Sequence, residues 1–306
     1  MLVSLIAAVL AALFYGIASV MQAVAVREAS NRSRAQASEG GLDAGLVPRM
    51  LRQWRFVASV VIDLLGFIAQ LVALRRLPLF AVQAMVAANL AVIAVLATVV
   101  IGATLSLREW LAVGGVVTGV GLLGSSAGAE GATTAGSAFK IALIVATAVL
   151  ALTGLVAARV LRDPARTLVL GTIAGFGFGA VGIAARVLTG FAPLTLLRDP
   201  AAYAVAAAGI VSFVFYATAL EGGSVTVATS AVVLAETLPP ALVGVLFLGD
   251  TTRPGLTPVA AAGFLLAVAS AVTLARFGEA EDPHGHPHEH PPGHAEPGNL
   301  PRQGLA

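Results

Sequence analysis

Residues 80–101, FAVQAMVAANLAVIAVLATVVI, run the length of a membrane-spanning helix without a charged side chain. A bilayer core about 30 Å thick needs roughly 20 apolar residues per helix, so this stretch predicts one span. The whole chain follows the same pattern, since 58% of its 306 residues are apolar and 11% are charged. A soluble protein carries about a quarter charged residues. The composition therefore predicts a polytopic membrane protein and excludes an ordinary soluble domain.

Further stretches meet the same length criterion, and together they predict an all-α membrane protein with nine spans, ten being the alternative count. The predicted spans are Leu2–Val26, Phe56–Leu74, Phe80–Ile101, Leu111–Leu123, Ile141–Ala158, Leu168–Leu188, Ala202–Leu220, Val225–Leu248 and Thr257–Leu274. The fourth is short, and Trp110 just before it suits a helix end at the membrane interface.

Basic residues set the predicted orientation, because lysine and arginine collect in cytoplasmic loops. Twelve of the 18 fall on one side of the predicted spans: Arg27, Arg32, Arg34, Arg49, Arg52, Arg55, Arg108, Arg159, Arg162, Arg166, Arg276 and Arg302. We expect a multi-pass protein of the cell (plasma) membrane, with the N-terminus outside, the C-terminus cytoplasmic and the basic loop 27–55 inside. Residues 47–55, VPRMLRQWR, suit either an amphipathic segment in the headgroup layer or a solvated basic loop.

The composition also narrows the chemistry. The chain has no cysteine, which removes disulfides, thiolate metal sites and cysteine nucleophiles together. The small formal charge of +2 gives no sign of a nucleic-acid surface.

An internal repeat indicates the architecture. Shifting the sequence by 147 residues lays 81–121 over 228–270, so that spans one to four correspond to spans six to nine and the fifth is a connector. An offset of five helices is odd, which predicts that the second half is inserted upside down. Inverted repeats are typical of secondary transporters, whose substrate site lies near the midplane between the halves. The predicted regions are a first repeat (1–127), a linker and connector helix (128–166), a second inverted repeat (167–276) and a tail (277–306).

Charges inside a span are costly, so each one is a functional candidate. Glu236 lies halfway along span eight and precedes Pro239 and Pro240, which remove helix hydrogen bonds and free carbonyl groups nearby. We expect a broken helix with a midplane carboxylate for cation or proton coupling; a packing role for a protonated or hydrogen-bonded Glu236 is the alternative. Thr229 shares its face, and the repeat places Asn89 at the equivalent point of span three.

Two polar stripes lie on the first two spans. In span two, Asp63 and Gln70 fall on one face with Gly66, which predicts either a cavity lining or packing in which Asp63 reaches Arg55 or another polar partner. In span one the stripe consists of Tyr15, Ser19 and Gln22, and either a cavity lining or helix–helix hydrogen bonding explains it.

Arg186 ends span six on a face lined by Gly175, Gly179 and Gly182, and the series Gly171, Gly175 and Gly179 predicts a close packing seam. Arg186 itself is expected to snorkel outward; binding an anionic solute group, or pairing with Glu236 or Asp63, are the alternatives. Tyr216, with Ser212 one turn before it, is a weaker candidate of the same kind.

All five histidines lie in the stretch PHGHPHEHPPGH near the C-terminus. They are His284, His286, His288, His290 and His294. Proline and glycine predict a disordered tail there. Imidazoles at this spacing can bind a transition metal, although His-rich tails also arise without metal binding.

The stretch from Trp54 to Gly121 resembles the drug/metabolite transporter superfamily, in particular EamA-like bacterial proteins and NIPA-type magnesium transporters. The resemblance is carried by Asp63-Leu64-Leu65-Gly66-Phe67, Gln70, Leu77-Pro78-Leu79, Val82-Gln83, Arg108-Glu109-Trp110 and Gly114-Gly115. Two departures stand out. Ala84 replaces the usual proline, and the usual Leu-Gly-Glu is Ile101-Gly102-Ala103 in the first half and Leu248-Gly249-Asp250 in the second.

The resemblance implies a transporter of a small solute, with a magnesium or other divalent-cation transporter or channel as the alternative. We expect no enzymatic activity and no cofactor, because neither in-membrane histidine nor cysteine exists and two carboxylates alone do not make an acid/base site. The expected partners are membrane lipid and a small-molecule or cation substrate, with a homodimer left open.

Overall fold

The computed structural model describes residues 2–36, 54–100, 102, 104–222 and 225–277. This part of the chain is helical, with one isolated β-bridge between Ala127 and Thr252. Its helices are α1 (Leu2–Gln36), α2 (Trp54–Leu74), α3 (Leu79–Ala87), α4 (Asn89–Val100), α5 (Leu107–Ser126), α6 (Ser137–Val160), α7 (Ala165–Arg186), α8 (Pro193–Arg198), α9 (Pro200–Gly222), α10 (Val225–Leu246) and α11 (Thr257–Phe277).

Nine spans long and apolar enough to cross a membrane are found among these described ranges, which confirms the predicted number. The segments α3 and α4 together form the third span, and the short α8 lies outside the set. The chain therefore has the fold of a multi-pass membrane protein, whose helices bury small side chains against each other and turn large apolar ones outward.

The fourth span begins earlier than the predicted Leu111. Ser106 and Glu109 form a capping box, in which Ser106 Oγ accepts from the Glu109 N–H and Glu109 Oε2 accepts from the Ser106 N–H at 2.6 Å. This cap starts α5 at Leu107 and gives it the length of a span, so the short fourth span was a wrong prediction of the boundary.

Two further predictions need correction. The expected loop from Arg27 is helical as far as Gln36, because α1 continues beyond its apolar part. The expected break at Pro239 and Pro240 is absent, since α10 runs through both prolines. The interruption occurs instead in the third span, where Ala88 lies in a turn between α3 and α4.

The two segments of the third span differ sharply in packing. Eight of the nine residues of α3 are buried, whereas Ala91 is the one buried residue of α4. The helix α3 packs against α10, while α4 lies mainly along α1. The core around α3 includes the fully buried Leu74, Leu77 and Val187. The α3 end of the molecule is thus tightly packed, and the α4 end is less fully buried.

The glycine seam predicted on α7 is confirmed. Gly171, Gly175 and Gly179 face the backbone or proline ring of α10, at Ala228, Val232 and Pro240 respectively. Close approach of the two helices requires the missing side chains at these positions.

Candidate functional site

A chain of hydrogen bonds, named here the polar chain, joins four spans through Tyr15, Gln70, Gln83 and the main-chain oxygen of Glu236. The Tyr15 hydroxyl of α1 donates to Gln70 Oε1 of α2 at 2.7 Å. Gln70 Nε2 donates to Gln83 Oε1 of α3 at 3.2 Å, and Gln83 Nε2 donates to the main-chain oxygen of Glu236 in α10 at 3.2 Å. Gln70 and Gln83 are both buried. Each partner comes from a different span, so the chain fixes the relative positions of all four helices.

Pro240 explains why the last hydrogen bond of the polar chain goes to the main-chain oxygen of Glu236. In an α-helix the carbonyl of residue 236 accepts from the N–H of residue 240, and proline has no N–H to give. Pro240 therefore leaves the Glu236 carbonyl without a helical partner, and the Gln83 amide fills the vacancy. The freed carbonyl expected from the sequence is present, although the helix itself stays continuous.

Two carboxyl groups act electrostatically on the Tyr15 end of the polar chain. The hydroxyl of Tyr15 lies within electrostatic range of both Asp63 and Glu236. Glu236 is half-buried, and among the described residues no group donates a hydrogen bond to its carboxylate. Asp63 is exposed and lies two turns before Gln70 on the face of α2 where Gly66 packs against the Tyr15 ring. The structure thus links Gln70 to the main chain of Glu236 through Gln83, and Asp63 and Glu236 both act electrostatically on Tyr15.

Asn89 is half-buried at the first position of α4 and stands close to α1. A β-carbon at Gly16 would come within 3.2 Å of the Asn89 main-chain oxygen. In the same way, a β-carbon at Gly179 would come within 3.3 Å of the Glu236 main-chain oxygen. The two positions that the repeat pairs, Asn89 and Glu236, therefore each meet a glycine of a neighbouring span through the same backbone atom.

Other candidates lie apart from the chain. The hydroxyl groups of Tyr216 and Thr229 are 3.1 Å apart and pair α9 with α10. Gln22 belongs to α1, but its side chain lies outside the described part of the structure. The five predicted metal-binding histidines (284–294) and most of the basic segment 47–55 also lie outside the described residues. Within the described ranges, no group of three or more His, Cys, Asp or Glu could hold a metal ion.

The outward snorkelling expected of Arg186 is wrong. Its side chain is 0% exposed and forms an ion pair with Asp250 at 3.1 Å. The guanidinium also donates to the main-chain oxygens of Leu74, Leu77 (2.7 Å) and Gly131 (3.3 Å). We therefore assign Arg186 to this ion pair and leave it out of the polar chain.

The Asp250 carboxylate is equally well surrounded. It accepts from the N–H groups of Leu79 and Gly131, the latter at 2.7 Å, in addition to Arg186. We name this group of residues the Arg186–Asp250 cluster, defined by Arg186, Asp250, Leu74, Leu77, Leu79 and Gly131. It lies at the tightly packed end of the molecule, within the core that contains Leu74 and Val187.

A second buried ion pair lies at the same end. Lys140 Nζ is 2.8 Å from Asp199 Oδ1 and 2.7 Å from Thr189 Oγ1. Burial raises the pKa of Asp199, but hydrogen bonds from Lys140 and from the N–H groups of Thr189 and Ala201 outweigh it and hold that pKa well below its usual range. The carboxylate is therefore ionised wherever the protein is folded near neutral pH.

Two surface cavities lie at this end as well. One of about 360 Å³ is lined by Lys140, Thr189 and Asp199, and one of about 590 Å³ by Arg76, Glu130 and Arg253. Neither contains a residue of the polar chain, so they are separate from the site around Glu236.

Sequence reasoning missed Gln83, Asp250 and the pair Lys140–Asp199 as functional or structural centres. Gln83 carried a usable signal, because it is an amide inside a span without charge. Its partners lie 13 and 153 residues away, and no local pattern reports such pairings.

No protein-family model, curated protein or solved structure matches the chain.

Proposed function

We propose that this chain is a secondary transporter that moves a small solute across the cell membrane without converting it. The observation that carries the proposal is the half-buried carboxylate of Glu236, which has no donor among the described residues and lies beside a polar chain from four spans. A charge inside an apolar span is expensive unless it serves a substrate, an ion or a proton.

Inverted repeats are part of this proposal, and three correspondences support them. Gly102 and Gly249, 147 positions apart, end spans three and eight with φ angles of 74° and 75°. The helix α2 (Trp54–Leu74) corresponds under the same shift to α9 (Pro200–Gly222) within one residue at each end. The contacts of Gly16 with Asn89 and of Gly179 with Glu236 are the third correspondence. With the odd helix offset, this arrangement favours membership of the drug/metabolite transporter superfamily and alternating access between the halves.

The polar chain also favours a class of solute. The Tyr15 hydroxyl, the Gln70 oxygen and the Gln83 oxygen are each used inside the chain. What remains for a solute is mostly hydrogen-bond acceptors, namely the carboxylates of Glu236 and Asp63 and the lone pairs of Tyr15. Such a site suits a protonated amine or another donor-rich cation, with Glu236 as the coupling carboxylate.

A divalent-cation transporter of the NIPA type is the second candidate. Carboxylate oxygens are among the ligands that Mg²⁺ prefers, and Asp63 and Glu236 supply them. The two candidates differ in the cation they predict and share the same residues.

The test is transport by purified protein in proteoliposomes loaded with a pH-sensitive dye. A panel of primary amines and quaternary ammonium ions, and separately Mg²⁺, would be added under an imposed pH gradient. We expect proton movement driven by at least one organic cation, and its loss in Glu236→Gln. Glu130→Gln removes an exposed acid that is not part of the polar chain and is the matched control.

Wild-type rates and an unchanged pH dependence in Glu236→Gln would refute the coupling role. Uptake of Mg²⁺ without any response to organic cations would select the second candidate.

A further inference from the structure

The Arg186–Asp250 cluster joins the two halves of the chain. Both charged residues come from the second half, and the groups they hold come from the region before it. Asp250 caps the start of α3 through the Leu79 N–H, and Arg186 holds the carbonyls that end α2 and follow it, at Leu74 and Leu77. The cluster therefore bridges spans two, three, six and eight at one end of the molecule.

The energetics of such a cluster suit a reversible contact. Both side chains are 0% exposed, so each has lost its hydration. A buried pair gains little net free energy over an apolar replacement, yet loss of one partner leaves a bare buried charge. The pair thus adds little to overall stability and strongly favours the one arrangement in which its members meet. If the halves separated, water would hydrate both charges again, and this hydration would offset the free energy of the lost contacts.

The neighbouring ion pair provides a contrast. Asp199, like Asp250, accepts from one cationic side chain and two main-chain N–H groups. Its partners Lys140, Thr189 and Ala201 all belong to the connector helix or the second half. The two pairs have matched chemistry, but of these two only the Arg186–Asp250 pair also binds main-chain groups of the first half, at Leu74, Leu77 and Leu79.

The positions of the first half that correspond to Arg186 and Asp250 in the repeat carry no charge. The repeat pairs Asp250 with Ala103, and the shift that aligns Gly16 with Gly179 pairs Arg186 with Ala23. Alanine can form neither an ion pair nor a cap. The sparse burial of α4 compared with α3 agrees with a weaker closure at that end.

We infer that the Arg186–Asp250 cluster is a one-sided latch, which holds the halves together at the α3 end and sets the resting state of the transport cycle. The inference rests on the proposed transport function for its role in a cycle. Closure of the α3 end by the cluster can be tested without any solute.

The experiment uses single-cysteine reporters, because the chain has no cysteine of its own. Val187→Cys places a thiol in the fully buried core at the latched end. Ser19→Cys places one on α1, one turn beyond Tyr15 on the way to the other end. The full-length protein is labelled with a membrane-impermeant maleimide in proteoliposomes, with the membrane intact and with it permeabilised, in Asp250→Asn and Asp199→Asn backgrounds.

We expect Asp250→Asn to raise the labelling rate of Val187→Cys by at least about tenfold. This factor is a small part of the destabilisation expected when one partner of a buried ion pair is removed. Labelling of Ser19→Cys should fall in the same background, and Asp199→Asn should change neither rate by more than about twofold. Arg186→Lys, which keeps the charge but loses the planar fork, should give an intermediate rise at Val187→Cys.

Equal labelling in the Asp250→Asn and Asp199→Asn backgrounds would overturn the latch. A rise at both reporter cysteines would indicate a loosened fold and would overturn it too. The thermal midpoint of each variant in detergent distinguishes a misfolded protein from an opened one. If Asp250→Asn does not fold, Arg186→Lys replaces it as the test variant. A reciprocal change at the two cysteines in a protein that transports none of the tested solutes would keep the latch and reject the transporter.

Discussion

Gln83 supplies the hydrogen bond that Pro240 withholds from Glu236: its amide nitrogen lies 3.2 Å from the Glu236 main-chain oxygen. A side chain of the third span thereby completes the backbone of the eighth. The pairing makes the conformation of α10 around Glu236 dependent on the position of α3, which couples the carboxylate to the packing between the halves.

The first prediction is a thermodynamic coupling between these two residues. Gln83→Leu leaves buried groups unsatisfied and should lower the free energy of unfolding by about 1–3 kcal/mol. In a Pro240→Ala background the helix regains its N–H, so the same change should cost about 1 kcal/mol less. A double-mutant cycle of unfolding in detergent measures the difference, and strictly additive effects would contradict it.

The second prediction concerns close packing at Gly179. A β-carbon there would lie 2.9 Å from Pro240 Cγ, which forces α7 and α10 apart. Gly179→Ala should therefore lower stability by about 1–3 kcal/mol. Gly121→Ala is the control, because a β-carbon at Gly121 meets nothing within 4 Å and the helix gains up to about 1 kcal/mol. Thermal midpoints of the two variants should move in opposite directions.

The third prediction is a pH dependence from Asp199. Its pKa is depressed in the folded protein, so the pair contributes stability above the unfolded value of about 4, and this contribution is lost as pH falls further. The thermal midpoint of the wild type should fall more steeply below about pH 4 than that of Asp199→Asn. Parallel curves for the two proteins would show that the pair does not titrate in this range.

The fourth prediction isolates the first link of the polar chain. Tyr15→Phe removes the donor to Gln70 and should cost about 1 kcal/mol of stability. Gln70 Oε1 then has no donor, so the apparent affinity of the Tyr15→Phe variant for a cationic solute should differ from that of the wild type. The affinity of the Tyr203→Phe variant should equal that of the wild type. Tyr203 donates to the Leu197 carbonyl on an exposed surface and so offers the same chemical change away from the site. Identical affinities in both variants would remove Tyr15 from the site.

The number and approximate limits of the spans followed from the sequence because bilayer thickness imposes a length that hydropathy alone reports. The stripe of Asp63, Gly66 and Gln70 was also readable, since helical spacing puts the three on one face. The partner of Arg186 was not, because Asp250 lies 64 residues later at the end of another helix. The prolines predict a break at Pro239–Pro240, but α10 stays continuous there and a side chain from α3 satisfies the carbonyl that Pro240 leaves free. The structure places the break at Ala88, where α3 ends.

Ala88 divides the third span into a part that is buried almost throughout and a part that is buried at one residue. Motion of the two parts therefore has different costs, since α3 must break nearly complete burial to move and α4 must break partial burial. Local opening follows the contacts that oppose it. The amide protons of α4 should exchange with deuterium well before those of α3, although both belong to one membrane crossing, and the boundary between slow and fast exchange should fall at Ala88.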